Sequence, residues 1–391
     1  LSLLYSTTFH APFNFDDEAV IKFEVAQKTT GDLYSNFYPP RYRHLFYSSL
    51  IFNYSKGQLN PFGYHLINTS LHFFTSIVIF FIAFITIQKG LSLNKKDALS
   101  IAGITTLLFS ISPVHSETVN YISARAVGMS SFFYLSALLS FILGSLRERR
   151  PLTRLFLYFS TIICFLASIL SKETALTFPF VLLLYDVCFM RNNCWAPLKN
   201  RILFFYLPLF LCAILAVLKI MSFKNLIVDF WQRIDIGYGL KQIRIIGYGT
   251  RLLLFPIGLT FDYDFPSTFF PSNAILATAI LLTLGIILAA TLCFPRSLAI
   301  VSFCSLWFLL TLAPTNSIFP RLDLLSERNL YLPSFGVLLL LATTIHRLVL
   351  AKHNQLMVKK IGGYCLIIFF IFEVVLLHER NLSYRSNTIL W

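Results

Sequence analysis

Long apolar runs, separated by short basic clusters, are the feature that most restricts what this chain can fold into. A run of about 20 predominantly apolar residues is long enough to cross the hydrocarbon core of a bilayer as a helix. The 391 residues are 56% hydrophobic and only 13% charged, whereas charged residues make up about a quarter of an ordinary soluble domain. The sequence therefore predicts an all-α fold, a polytopic membrane helical bundle.

The apolar runs predict about 11 membrane spans. Residues 13–63 are expected to form a long first extracytoplasmic loop. Residues 222–273 are expected to form an interfacial or re-entrant loop, because a span at 237–260 would move the last basic turns to the other side and break the positive-inside rule. The predicted spans are the end of a truncated first span at 1–11, then 64–87, 99–112, 127–146, 155–170, 175–190, 202–221, 274–294, 298–314, 330–350 and 361–377.

The basic excess of the chain fits a membrane protein. Lys and Arg number 32 against 18 Asp and Glu, which gives a formal charge of +14. In a soluble domain this excess would suggest nucleic-acid binding, but here the basic residues cluster between apolar runs, as they do in cytoplasmic turns. We therefore expect a surrounding lipid bilayer and no nucleic-acid partner. The seven cysteines are scattered without a Cys-x-x-Cys pair, so neither a metal nor a disulfide role is expected.

Three consecutive carboxylates, Asp16, Asp17 and Glu18, follow the first apolar stretch. Carboxylates at a membrane boundary are costly to dehydrate, which makes them candidates for function. Asp16 or Asp17 could cap a helix running through residues 18–28. Because a cap accounts for one acid only, the sequence favours a chemical role for the pair Asp16 and Asp17.

The predicted topology gathers the reactive polar side chains at the end of the bundle away from the basic turns. Charged residues at helix ends often only reach toward the interface, but this behaviour is typical of Lys and Arg and does not account for many carboxylates on one side. The residues gathered there are Asp16, Asp17, His115, Glu117, Lys172, Glu173, Asp262, Asp264, Glu327 and Arg328.

Several short segments, taken in order, resemble those of a known family. They are residues 15–17 (Phe-Asp-Asp), 42–45 (Tyr-Arg-His-Leu), 57–72, 112–119, 123–125 (Ser-Ala-Arg), 170–174, 261–266 and 327–334. Together they resemble the transmembrane and tetratricopeptide-repeat O-mannosyltransferase-like glycosyltransferases and their bacterial relatives, which are similar to protein O-mannosyltransferases of the GT-C superfamily. By this resemblance, residues 1–377 form a GT-C-like catalytic domain, and 378–391 form the junction to a missing tetratricopeptide-repeat region.

The resemblance implies transfer of a single mannose-like sugar from a polyprenyl-phosphate sugar to a protein or glycan hydroxyl, on the extracytoplasmic side and with inversion. Asp16 is expected to be the general base, and Asp17 is expected to hold the acceptor or to substitute as base. The resemblance implies no cofactor and no metal. It favours the bacterial plasma membrane, with the endoplasmic reticulum membrane as the alternative. The residues expected to bind the donor phosphate are Arg43, Arg125, Lys172 and Arg328.

A further set of residues is expected to shape or orient the pocket: His65, His115, Glu117, Glu173, Asp262, Asp264, Glu327 and Tyr331. Structural roles stay open for many of these candidates. Arg125 could anchor the headgroup region, Lys172 and Glu173 could form a local ion pair, and Glu327 and Arg328 are expected to pair with each other. His65 and His72 lie seven apart on one helix face, where packing is more common than metal binding.

Two functions of other classes stay open. A transporter or flippase of lipid-linked sugars would carry polar residues near the bilayer midplane and show repeated halves, whereas these midplane stretches are nearly free of charge, with Glu373 the main exception. A non-catalytic membrane scaffold would have no need of Asp16 and Asp17.

Overall fold

The computed structural model describes residues 2–25, 43–190, 201–207, 209–211, 214–215, 235–266, 298–321, 323–350 and 356–386. Within these ranges every regular element is helical and no strand occurs, which confirms the all-α prediction for this part of the chain.

Ten longer helices carry the architecture of the described residues. They are α1 His44–Gly57, α2 Pro61–Ile85, α3 Lys95–Ile111, α4 Arg125–Ser145, α5 Pro151–Ser171, α6 Phe178–Phe189, α7 Ile236–Leu254, α8 Ala299–Leu312, α9 Ser334–Ile345 and α10 Leu356–Ser383. Shorter helical turns are Ser2–Tyr5, Ser6–Thr8, Glu18–Val25, Thr86–Gly90, Pro113–His115, Ser116–Asn120, Ile122–Ala124, Glu173–Thr177, Ile202–Tyr206, Glu327–Leu330 and His346–Leu350.

Four helical stretches among the described residues are long and apolar enough to cross a membrane: Pro61–Gly90, Ile122–Ser145, Pro151–Ser171 and Lys360–Ser383. A fifth is counted if Lys95–Ile111 and Pro113–Asn120, which meet at a 50° bend, form one broken span. Ala299–Leu312 and Ser334–Val349 are apolar but shorter. These helices support a membrane protein, whereas the predicted total of about 11 spans is not confirmed. The span predicted at 274–294 and nine of the 20 residues of that at 202–221 lie outside the described residues.

Local sequence signals account for several helix boundaries. Asn60 caps α2 by accepting a hydrogen bond from the Phe62 N–H at 3.1 Å, and Pro61 fills the first helical position, where a missing N–H costs nothing. Asn94 caps α3 in the same way, with the Asp97 N–H as donor at 2.9 Å. Pro113 cannot continue α3, so the chain bends there.

Small residues allow helices to approach closely in the apolar core. A Cβ atom built at Gly336 would lie 2.6 Å from the Cys304 carbonyl oxygen, so α8 and α9 can meet there only because residue 336 lacks a side chain. At Gly144 a Cβ atom would lie 2.9 Å from the Tyr158 ring, which sets the spacing of α4 and α5. Trp307 is fully buried beside these helices.

The short helical turns bring the polar residues together at one end of α3, α4 and α5. The turns at 113–124 connect α3 to α4, Glu173–Thr177 connects α5 to α6, and Glu327–Leu330 precedes α9. The predicted interfacial stretch contains α7, which is not among the helices apolar enough to span. Helix α10 runs without a break through residue 377, and its last turn is tied to the start of the chain by Asn381 Nδ2, which donates to the Leu4 carbonyl at 2.9 Å.

Candidate active site

Asp17 is completely buried and serves as the acceptor for four hydrogen bonds. Its Oδ2 accepts from the backbone N–H groups of Asn14 (3.3 Å) and Ile122 (3.2 Å). Its Oδ1 accepts from the Ser123 N–H (2.6 Å) and the Ser123 hydroxyl (2.5 Å). Burial raises the pKa of Asp17 to about 6, although these hydrogen bonds oppose the rise. Because both oxygens are occupied, Asp17 fastens the first segment of the chain to the start of α4 and does not face a substrate.

Asp16 has the opposite environment. Its side chain is exposed, and its Oδ2 accepts a hydrogen bond from the Tyr121 hydroxyl at 3.0 Å. The preceding residue, Phe15, has a backbone φ of 48°, a left-handed conformation that is uncommon outside glycine and that often occurs at functional sites. Of the two adjacent acids, only Asp16 presents a carboxylate that a substrate can reach.

Arg328 lies between the carboxylates of the site. Its Nη1 is 3.2 Å from Glu117 Oε1, and its Nη2 is 3.2 Å from Asp323 Oδ2. Its guanidinium covers the Tyr121 ring, with Cζ 5.3 Å from the ring centroid. Burial alone would lower the pKa of Arg328, but Glu117 and its other acidic neighbours raise it above its usual value. Glu117 also accepts from the Arg328 N–H at 2.8 Å and the Ser326 hydroxyl at 3.1 Å, so it fixes the turn that carries Arg328.

The expected ion pair between Glu327 and Arg328 is wrong. Glu327 is fully buried, and its carboxylate accepts from the Tyr263 hydroxyl at 2.7 Å and lies 3.4 Å from Arg380 Nη2. Neighbours in a tight helical turn point in different directions, so Glu327 faces α10 while Arg328 faces Glu117. Burial raises the pKa of Glu327; Arg380 lowers it, and the Glu117 carboxylate adds to the rise.

The local ion pair between Lys172 and Glu173, which the sequence left open as an alternative to phosphate binding, does not form, because Glu173 pairs with a distant arginine. Glu173 forms a bidentate ion pair with Arg43, whose Nη2 and Nε donate at 2.7 and 3.0 Å. Burial opposes ionisation of Glu173, but Arg43 outweighs it and lowers the pKa of that carboxyl. The Lys172 side chain points elsewhere, because its backbone is extended where the α5 helix ends.

Lys172 is buried, with 7% of its surface exposed. Its Nζ donates to Asn329 Oδ1 at 3.4 Å, and across the described residues it forms no ion pair. Burial lowers the pKa of Lys172 to about 7, and the cations Arg43, Arg328 and Arg321 add to this effect, against Glu173. A buried ammonium among other cations is a favourable place for an anion.

Arg125, by contrast, uses its donors inside the bundle. Its Nε donates to Asn68 Oδ1 at 2.7 Å, its Nη1 to the Ser49 carbonyl at 3.2 Å and its Nη2 to the Tyr64 carbonyl at 3.1 Å. The side chain is fully buried, so it fastens α4 to α1 and α2. Since its three donor nitrogens already bind protein acceptors, Arg125 is not among the residues proposed to bind the donor phosphate.

The histidines and Tyr331 form hydrogen bonds within the buried part of the bundle. His65 Nε2 lies 3.2 Å from the Ala11 carbonyl, and His115 Nδ1 lies 2.8 Å from the Phe109 carbonyl. The Tyr331 hydroxyl lies 2.8 Å from His72 Nδ1. Among the residues that the structure describes, no group of three or more His, Cys, Asp or Glu could hold a metal ion.

The loop at 261–266 reaches the site through its aromatic residues. Asp262 and Asp264 are exposed. Phe261 packs edge-on against Tyr121 with centroids 5.2 Å apart, and Tyr263 holds Glu327. Five residues of the site had no role assigned from the sequence: Tyr121, Ser123, Tyr263, Asn329 and Arg380. Ser123, Tyr263 and Asn329 lie within the quoted segments 123–125, 261–266 and 327–334, and Tyr121 lies between the segments 112–119 and 123–125, so these segments were the available signal.

The fold and the site define a helical membrane protein with an exposed carboxylate beside a cluster of cations. The chain is similar to curated protein O-mannosyl-transferases of the TMTC type, which confirms the resemblance inferred from its motifs. It is 26% identical to protein O-mannosyl-transferase Tmtc3 of Drosophila melanogaster over 421 residues, covering 88% of this chain and 43% of that protein.

Two further relatives match shorter parts of the chain. Protein O-mannosyl-transferase TMTC3 of Mus musculus is 35% identical over 100 residues, which are 26% of this chain and 10% of that protein. Protein O-mannosyl-transferase TMTC2 of Mus musculus is 35% identical over 153 residues, which are 34% of this chain and 17% of that protein. The chain thus spans less than half the length of these relatives. No family model matches the chain, and no solved structure matches it.

Proposed function

We propose that this chain is the membrane catalytic part of a glycosyltransferase with a GT-C-like fold. It would move one mannose-like sugar from a polyprenyl-phosphate sugar to a protein hydroxyl, or to a glycan hydroxyl, on the extracytoplasmic side. The similarity to protein O-mannosyl-transferases supports the reaction class and the protein acceptor. The observation that carries the proposal is the buried cation Lys172, which has no carboxylate partner among the described residues and lies at the same end as Asp16.

The donor phosphate supplies the anion that Lys172 lacks. Lys172 interacts electrostatically with Arg43, Arg328 and Arg321, and Arg328 in turn interacts with Asp16. Arg328 therefore interacts both with the proposed anion site and with the Asp16 carboxylate. Fixed cations at the leaving group stabilise the negative charge that develops as the bond to phosphate breaks.

Asp16 is the general base of the proposed reaction. A base must lie within hydrogen-bond reach of the proton it removes, and Asp16 is the exposed member of the acid pair. Asp17, in this account, holds the loop that carries Asp16 in place. The role expected for Asp17 from the sequence, as acceptor holder or substitute base, is not part of this proposal, because both Asp17 oxygens accept hydrogen bonds from the protein.

The proposed step is a single displacement. The acceptor oxygen attacks the anomeric carbon, its proton passes to Asp16, and the bond from that carbon to the phosphate oxygen breaks, leaving its electron pair on polyprenyl phosphate. One displacement inverts the anomeric centre, and one carboxylate suffices, unlike the closely spaced carboxylate pair of retaining glycosidases.

The test is sugar transfer by the purified full chain in lipid nanodiscs. Short-chain polyprenyl-phosphate mannose with a radioactive sugar is the donor, and a synthetic peptide rich in Ser and Thr is the acceptor. We expect labelled peptide with the anomeric configuration opposite to that of the donor. Asp16→Asn should lower the rate by about 10²–10⁴-fold, the usual contribution of a general base.

The matched control is Asp97→Asn, which makes the same chemical change in the first turn of α3, away from the site. It should transfer at the wild-type rate. Donors that carry glucose, a pentose or an N-acetylhexosamine identify the sugar. The proposal is overturned if none of these donors is used by the wild-type chain, or if Asp16→Asn transfers as fast as Asp97→Asn.

A further inference from the structure

Tyr121 contacts both the carboxylate and the cation to which the proposed reaction assigns roles. Its hydroxyl donates to Asp16 Oδ2 at 3.0 Å, and its ring lies under the Arg328 guanidinium, with Cζ 5.3 Å from the centroid. Only 1% of the residue is exposed. A single buried side chain therefore connects the two groups.

The Tyr121 hydroxyl acts as a donor in this position. Burial, followed by the carboxylates of Asp17 and Asp16, raises the pKa of Tyr121 far above its usual value, so the phenol keeps its proton. An ionised carboxylate is an acceptor and not a donor, so the phenol proton of Tyr121 points at Asp16 Oδ2. The other oxygen, Oδ1, is then left for the acceptor hydroxyl.

Tyr121 is also held by a ring contact and by the backbone that follows it. Phe261 packs edge-on against the Tyr121 ring, with an interplanar angle of 80°. The two residues after Tyr121, Ile122 and Ser123, donate their backbone N–H groups to Asp17. Asp17 thus fixes the peptide units that carry Tyr121 while Tyr121 fixes the side chain of Asp16, so the two adjacent acids are coupled through one tyrosine.

We propose that Tyr121 is a positioning residue for the transfer reaction. Its hydroxyl orients Asp16 so that Oδ1 meets the acceptor proton, and its ring keeps the Arg328 guanidinium over the leaving phosphate through a cation–π contact. This inference rests on the proposed function.

The test separates the hydroxyl from the ring. Tyr121→Phe removes only the hydrogen bond to Asp16, and we expect kcat to fall about 10- to 100-fold, as for a lost hydrogen bond to a charged group, with an unchanged KM for polyprenyl-phosphate mannose. Tyr121→Leu also removes the ring and should raise that KM. The matched control is Tyr134→Phe, where the lost hydroxyl lies 3.2 Å from Thr177 in the core; its kcat should equal the wild-type value.

A double-mutant cycle shows whether the loss runs through the base. In the Asp16→Asn background, Tyr121→Phe should cause no further fall in kcat. An equal fall in both backgrounds, or a wild-type kcat for Tyr121→Phe, overturns the positioning role. Failure of the proposed function looks different, because Asp16→Asn would then keep the wild-type rate. Thermal unfolding of Tyr121→Phe and Tyr134→Phe is compared to show that both variants are folded.

Discussion

Two clusters of the same three residue types have opposite environments. Near the end of α6, Arg201 Nε and Nη2 donate to both oxygens of Asp186 at 2.9 and 2.8 Å, and the Tyr206 hydroxyl donates to Asp186 Oδ2 at 2.8 Å. All three of these side chains are buried. Helix α6 leads away from Lys172. Asp186 lies more than 10 Å along the helix axis from its first residue, Phe178, at a rise of about 1.5 Å per residue.

The other cluster, Asp16 with Tyr121 and Arg328, is open. Its aspartate is exposed and does not pair with its arginine, which binds Glu117 and Asp323 instead. Tyrosine donates to aspartate in both clusters. Residue types therefore do not tell whether a carboxylate can bind a ligand. What decides it is whether the carboxylate has an oxygen that no protein donor occupies.

The largest expected effect is a loss of folding stability when the closed cluster is broken, that is, Asp186 with Arg201 and Tyr206, where protein donors occupy both carboxylate oxygens. Asp186→Asn leaves Arg201 buried without its charge partner, which costs about 3–5 kcal/mol of folding free energy. Thermal unfolding of the purified chain should show a much lower midpoint than for Asp97→Asn. The transfer rate per folded molecule should not change. A midpoint equal to that of the control would mean that the pair contributes nothing to folding.

A smaller effect is expected from the anion site. Lys172→Met keeps the length of the side chain but removes its charge, and the affinity for polyprenyl-phosphate mannose should fall about 10- to 100-fold, the range for a lost charged hydrogen bond. The control is Lys95→Met, at the exposed start of α3. Equal donor affinity in the two variants would remove Lys172 from the site.

Asp17 should contribute to folding stability, as Asp186 does, although it is next to Asp16 in sequence. Asp17→Asn replaces one acceptor oxygen by an amide NH2, a donor that then faces the protein's own donors, and we expect a stability loss of about 1–3 kcal/mol. The reaction rate of the folded fraction should change less than with Asp16→Asn. A fully stable variant that has lost transfer as completely as Asp16→Asn would make Asp17 the reactive acid.

The smallest effect is on pH dependence. With its pKa lowered to about 7 by burial and by Arg43, Arg328 and Arg321, Lys172 is charged below pH 7 and loses its charge above it. An anion binds the charged form, so the KM for the donor should be level below pH 7 and rise by at most about tenfold per unit above it. Lys172→Arg keeps its charge and should flatten the rise. A wild-type KM for the donor that stays constant as the pH rises above 7 would exclude titration of Lys172 as the cause.

Periodicity and composition predicted the helical class because an apolar run of span length has few alternatives. The acid pair was also recognisable, since adjacent carboxylates beside apolar residues are unusual. Which of the two acids is exposed was not predictable, because it depends on where the N–H groups of residues 122 and 123 lie, more than 100 positions away in the chain.

The partners in the ion pairs could not be predicted from the sequence for the same reason. Glu327 was expected to pair with its sequence neighbour Arg328, and a local pair of Lys172 with Glu173 was left open as an alternative to phosphate binding. The structure instead pairs Glu173 with Arg43 and Glu327 with Arg380. Short turns between helices send adjacent side chains in different directions, and only the packing of the whole bundle decides what each one meets.

The most direct measurement of this account is single-turnover transfer by Asp16→Asn and Asp186→Asn, side by side, at a temperature where both are folded. The open carboxylate should matter for chemistry and the closed one should not. We predict transfer about 10²–10⁴-fold slower for Asp16→Asn and wild-type transfer for Asp186→Asn. Wild-type transfer by Asp16→Asn would contradict the account.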